Sequence, residues 1–166
     1  MKYTLLTVIY KIFHPKVKYE QIPYWWKRSM LGQIWHSIRK FICQNIAPNC
    51  ITNFMRISIY RLCGFKIGKG CFIGMKCYFD DLCVDKIEIG NEVTISYGVY
   101  FACHGPRQGH NRIEIKDKAY IGMRANIIAP KDIVIGECAV VGAQTLVNKS
   151  IPARKTAVGI PCRIID

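Results

Sequence analysis

His104 is placed where a side chain could do chemistry. It lies in the segment FACHGPRQGH, immediately before an interruption of an otherwise regular pattern. An imidazole is the usual general base near neutral pH, because its ordinary pKa leaves a proton-accepting nitrogen there. The competing reading is a histidine merely exposed at a corner. The nine cysteines offer less: no Cys-x-x-Cys pair occurs, which removes the commonest zinc and redox signatures. The glycines of GFKIGKGCFIG lack the spacing of either nucleotide-binding loop.

The elements that must position His104 are legible as a repeat. From Ile67 an aliphatic or aromatic residue recurs every six positions, in four groups: Ile67, Ile73, Phe79; Ile89, Ile95, Phe101; Ile115, Ile121, Ile127; Ile135, Val141, Val147. Six of these twelve starts are followed at once by Gly, and ten have a small or apolar residue four positions on. That fourth position and the next start lie two apart, so they share one face of a short strand. Each unit is then a strand with two inward side chains, followed by a bend that glycine eases. Three units close a triangular coil, and stacked coils form a parallel β-solenoid.

Gaps of 10, 14 and 8 residues separate the groups, so 4, 8 and 2 extra residues must leave as loops at corners. About four coils are expected, at 67–84, 89–105, 115–132 and 135–152, within a solenoid over 64–152. Its largest loop is expected at 105–114, and a tail at 153–166. Insertions on a rigid repeat are where sites are commonly built, which returns attention to His104. Cys71, Cys77 and Cys83 fall in successive inward slots, where Cys packs as a small apolar residue.

Residues 1–63 differ in kind. The first sixty hold nine Lys and Arg against one acid, Glu20, with all three tryptophans and 11 of the 19 aromatics. Trp26, Met30, Ile34, Ile38 and Phe41 follow helical spacing, and a second helix is expected over about 50–63, ending at Gly64. One reading is a helical cap on the open end of the solenoid; the other is an interfacial helix on anionic lipid. The opening MKYTLLTVIYKIF lacks a small-residue cleavage site, and no run of 18 apolar residues occurs. Neither a signal peptide nor a spanning helix is therefore expected. A reducing, cytoplasmic compartment follows by default, with peripheral contact at the inner face of a membrane as an extension.

The hexads, the histidine before an extruded loop, IEIKDKAYIGMRANI, VIGECAVVGAQTLVNKSIP and GIPCR together resemble the left-handed β-helix O-acetyltransferases. The closest likeness is to the galactoside and capsular-polysaccharide acetyltransferase type, over roughly residues 64–165. The left hand comes from the resemblance; the general crossover rule favours the other. What it implies is a mainly β fold with an N-terminal helical cap, and direct transfer from acetyl-CoA to a saccharide hydroxyl. His104 would be the base, with no metal and no acyl-enzyme. The oxyanion would be held by a backbone N–H near Gly122 and Met123. Tyr120 would line the cleft, Ala143, Asn148 and Lys149 would follow the CoA arm, and Arg163 would meet its phosphates. The acceptor side would draw on Asp80, Asp81 and Asp85 of YFDDLCVDK, with Asp85 aligning best, and on His110. Family members often carry Asn near Asp80, so the acceptor is open, and solvated corner acids are the plain alternative. A homotrimer is implied, because the family's sites lie between adjacent solenoids.

Rival readings remain. A γ-class carbonic anhydrase-like metalloenzyme needs three histidines, and only His104 and His110 lie in the solenoid. A net charge of +13 suits nucleic acid, yet no nucleic-acid motif occurs and none is expected as partner. A noncatalytic scaffold is the third.

Overall fold

The computed structural model describes residues 4–103 and 110–165, which fall into two compact units, one ending at Phe41 and one beginning at Ile42. In the first, α1 (Leu5–Phe13) starts at Thr4, whose hydroxyl accepts the Thr7 N–H. The Thr4 and Thr7 hydroxyls both donate to the Trp26 carbonyl, at 3.1 and 2.9 Å, tying α1 to the turn before α2 (Met30–Phe41). The expected stripe began at Trp26, but the helix begins later. Ser29 stops it from extending back, because its hydroxyl accepts the Gly32 N–H at 3.1 Å. Helix α1 was not anticipated from the sequence.

The second unit opens with short turns over Ile42–Ile46 and Ala47–Asn49, followed by α3 (Asn53–Leu62). The solenoid follows as three parallel walls. Wall one stacks β1 (Lys66–Ile67), β4 (Ile87–Ile89), β7 (Ile113–Ile115) and β10 (Ile133–Ile135). Wall two stacks β2 (Phe72–Ile73), β5 (Thr94–Ile95), β8 (Tyr120–Ile121), β11 (Val140–Val141) and β13 (Thr156–Val158). Wall three stacks β3 (Tyr78–Phe79), β6 (Tyr100–Ala102), β9 (Asn126–Ile128) and β12 (Leu146–Val147). The coil count differs slightly from four closed coils. Three full turns carry β1 to β10, and the chain then continues past residue 152 through an Ile135–Ile151 bridge into β13. The expected tail is structured too: β14 (Arg163–Ile165) runs antiparallel to β13.

The two inward positions per strand are as the spacing predicts. Val93 with Ile95, Ala119 with Ile121 and Ala139 with Val141 are all fully buried. A buried aliphatic side chain contributes about 1.5–3 kcal/mol, so the repeated starts dominate the stability of each coil. Cys71 and Cys77 occupy these slots, and each thiol donates to a carbonyl of the next coil, Gly90 and Ser96, at 3.1 Å.

The corners correct the role expected of glycine. At two corners of each coil the residue three after the start has a left-handed φ, and most of these residues are not Gly: Lys118 is at +59° and Gln144 at +56°. The glycine one after the start serves space instead. A Cβ on Gly136 would lie 2.3 Å from the Ala153 nitrogen, and one on Gly122 would lie 2.6 Å from that of Ala143. The third corner, between walls three and one, has no such compact turn and carries the extra residues.

Helix α3 closes the first coil by satisfying its open backbone edge. Asn53 donates to the Cys71 carbonyl and accepts the Ile73 N–H, both at 2.9 Å. Buried Arg56 donates to the Ile73 carbonyl at 2.7 Å, and Tyr60 to that of Cys77 at 3.2 Å. The cap is therefore built from residues 42–63, within the unit that holds the solenoid.

Gly136→Ala is expected to destabilise the protein by about 1–3 kcal/mol, the cost of forcing backbones apart. Lys118→Gly should be within about 1 kcal/mol of neutral, because relief of the left-handed backbone offsets glycine's entropy. Urea denaturation of the two variants checks the contrast; equal destabilisation would refute it.

Candidate active site

The third corner gathers most of the acceptor-side candidates. Asp80 ends wall three after β3 and is fully buried. One carboxylate oxygen accepts the Leu82 N–H at 3.2 Å, and the other accepts the Cys103 N–H at 3.0 Å. The second bond fixes the backbone one residue before His104. Asp81, also buried, accepts from Gln44 at 2.8 Å, so these two acids are not solvated corner residues. Asp85 is exposed and pairs with Lys86 at 3.7 Å. His104 and the loop residues 105–109 lie outside the described residues. The base of that loop is closed on the other side: Asn111 donates its N–H to the Cys103 carbonyl and its side-chain amide to Ala129, both at 2.8 Å.

His110 lies on this corner with Nδ1 2.9 Å from the Cys83 sulfur. Among the described residues one group has donors close enough to hold a cation: Asp80, Cys83 and Cys103, with ligand atoms within 4.8 Å. It is not the three-histidine set of the carbonic anhydrase reading. Burial, reinforced by the Asp80 carboxylate, pushes the Cys83 thiol up to about 12. Burial and the adjacent Cys83 push Cys103 up as well. Both thiols are protonated at neutral pH, and a cation would have to displace both protons.

The cofactor-side candidates divide between places. Tyr120 is on the outer face of wall two, its hydroxyl 3.2 Å from that of Ser96. Gly122, Met123 and Ala143 are at the corner between walls two and three. The Gly122 N–H is donated to the Val141 carbonyl at 2.8 Å, so it is already engaged in the ladder. Asn148 and Lys149 are exposed at the third corner after β12, and Arg163 is exposed on β14. Wall three separates the two corners by about five extended residues, roughly 16 Å. One solenoid therefore does not bring all these residues to one point.

Two features were missed in the sequence. Cys103 was not singled out, because it joins Cys83 only through stacking of coils. Tyr78 and Tyr100 are in register on wall three and stack at 4.3 Å, with ring planes 7° apart. Their 22-residue spacing includes a corner insertion, which hides the pairing from a six-residue pattern.

Both raised thiols mean that the folded state holds these protons more tightly than the unfolded state. Their contribution to stability is full below the ordinary thiol pKa and is lost as pH rises from there toward the folded values. Denaturation between neutral pH and about pH 11 should show this fall, and Cys83→Ala should reduce it. In the native protein at neutral pH, iodoacetamide should label partly exposed Cys50 and Cys138 well before Cys83 and Cys103.

No family model matches the chain. The serine acetyltransferase of Bacillus licheniformis is 32% identical over 142 residues, which are 84% of this chain and 62% of that protein. The chain spans less than two thirds of the length of the first curated relatives it matches. A hexapeptide-repeat acetyltransferase of Vibrio cholerae, in complex with acetyl-CoA, superposes with a TM-score of 0.68 at 21% identity, over 83% of this chain and 89% of that one. A maltose O-acetyltransferase of Clostridium difficile gives 0.62 at 24%, over 81% and 88%. The stacked walls, their capped first coil and these superpositions together give the chain the fold of the hexapeptide-repeat acetyltransferases, the left-handed β-helix that the sequence resembles.

Proposed function

We propose that the chain is an acetyl-CoA-dependent O-acetyltransferase that modifies a hydroxyl of a saccharide, in the cytoplasm, as a homotrimer. The observation that carries the reading is the third corner, where buried Asp80 holds the Cys103 N–H and thereby fixes the start of the segment that carries His104. A base that follows directly on an anchored backbone N–H starts from a fixed point of the coil, which lowers the cost of meeting an acceptor hydroxyl. His104 takes the proton as the hydroxyl oxygen attacks the thioester carbonyl, and CoA leaves as the thiol. The Met123 N–H of a neighbouring subunit is the proposed oxyanion donor. Trimer formation would supply what one solenoid lacks, by setting the corner between walls two and three of one copy against the third corner of the next.

A saccharide is favoured by the aromatic face of wall three. Tyr78 and Tyr100 present a stacked aromatic surface on the outside of wall three beside the third corner. Sugar recognition pairs aromatic surface with exposed polar groups that hold hydroxyls, a place that Asp85 rather than buried Asp80 and Asp81 can take. A serine-type acceptor is the second reading, favoured by serine acetyltransferases that are similar over 84% of the chain.

His104→Ala is expected to lower kcat by about 10²–10⁴-fold, the usual contribution of a general base, with CoA affinity unchanged. Release of free CoA thiol, measured against a panel of saccharides and L-serine, identifies the acceptor. Undiminished turnover in His104→Ala would overturn the mechanism, and turnover with serine but no saccharide would overturn the acceptor.

A further inference from the structure

The first unit carries an apolar surface that the acetyl-transfer reading does not use. Helix α2 shows the arrangement most clearly. At 100° per residue, Met30, Leu31, Ile34, Trp35, Ile38 and Phe41 fall within an arc of about 140°, and the polar side chains Gln33, His36, Ser37, Arg39 and Lys40 fall on the rest. All six apolar residues are exposed, Leu31 by 80%. Helix α1 repeats the pattern. Thr7 is buried against the Trp26 carbonyl, and Leu5, Val8 and Ile12 point away from it, with Ile12 70% and Phe13 75% exposed. A groove lined by Leu6, Trp26, Met30, Gln33 and Ile34 lies between the two helices.

Water-facing apolar surface on this scale is costly unless something covers it. Charge identifies the cover. Residues 1–41 hold eight Lys and Arg against the single acid Glu20, so a second copy of this unit would be repelled. An anionic lipid surface complements both features at once: its acyl region takes the stripe, and its headgroups take the flanking cations. Lys11 flanks the α1 stripe, and exposed Lys16, Lys18 and Lys40 are further long cations of the same unit that headgroups can attract. No described helix is long and apolar enough to cross a membrane, so the geometry is that of helices lying in the interface.

We propose that residues 4–41 form a docking surface for an anionic lipid bilayer, with the α2 stripe and the outer face of α1 inserted at the headgroup boundary. This goes beyond the acetyl-transfer reading and stands or falls independently of it.

The test is flotation of the full-length protein with vesicles of phosphatidylcholine containing phosphatidylglycerol, beside vesicles of phosphatidylcholine alone. The native chain should bind the anionic vesicles at least about tenfold more tightly, and the binding should weaken as salt rises. The double variant Leu31→Glu, Trp35→Glu should lose most of it. Both positions are exposed, so its unfolding transition should match the native one, which separates lost docking from lost folding. Replacing exposed Lys16, Lys18 and Lys40 by Glu should abolish the preference for anionic vesicles. Failure of the native chain to float, undiminished binding by the stripe variant, or stripe-dependent self-association in place of flotation would overturn the proposal. So would an oligonucleotide that binds as tightly as the vesicles and is indifferent to the stripe variant.

Discussion

The closeness of successive coils constrains everything else in the solenoid. Parallel strands stack at about 4.8 Å, and at that spacing the corners leave no room for some side chains and demand an unusual backbone for others. Gly122 and Gly136 are glycines because the next coil's backbone occupies the place of a Cβ. Lys118 and Gln144 accept a left-handed φ because the turn needs one, and their side chains point to solvent where any residue fits. The buried starts then follow from geometry, since a triangular coil has room for two inward side chains per wall.

A stack of parallel strands has an end, and the end is polar. The first coil would expose a row of carbonyl and N–H groups, each costly if buried without a partner. Asn53, Arg56 and Tyr60 on α3 meet that row with side-chain donors and acceptors. Arg61 extends it to wall one by donating to the Ile67 carbonyl. This accounts for a nearly fully buried arginine in an otherwise apolar cluster: it replaces the hydrogen bonds of a missing coil.

Two corners of each coil are fixed by stacking, and the third is where the chain is free to leave the coil. Polar and reactive residues accumulate there because an excursion does not disturb the ladder. Asp80 shows how a loose corner is made rigid again, bonding forward within its own turn and across to the next coil. The tyrosine pair on wall three is a second product of stacking, an aromatic stack assembled from residues 22 positions apart.

The sequence by itself determined the repeat, the inward residues, the loop-bearing gaps and the position of His104 beside the largest gap. These are properties of one strand and one turn, and a period of six records them directly. It also showed that the first sixty residues are basic and aromatic. It could not show which part of them caps the solenoid, because the match of Asn53, Arg56 and Tyr60 to particular edge groups exists only once the coil is closed. Nor could it tell a bending glycine from one kept small by a neighbour, or buried Asp80 and Asp81 from exposed Asp85, or pair Cys83 with Cys103. Each of those depends on which residue of the next coil lies alongside, and insertions of unequal length at the third corner scramble that register in the linear chain. Only the stacked structure restores it.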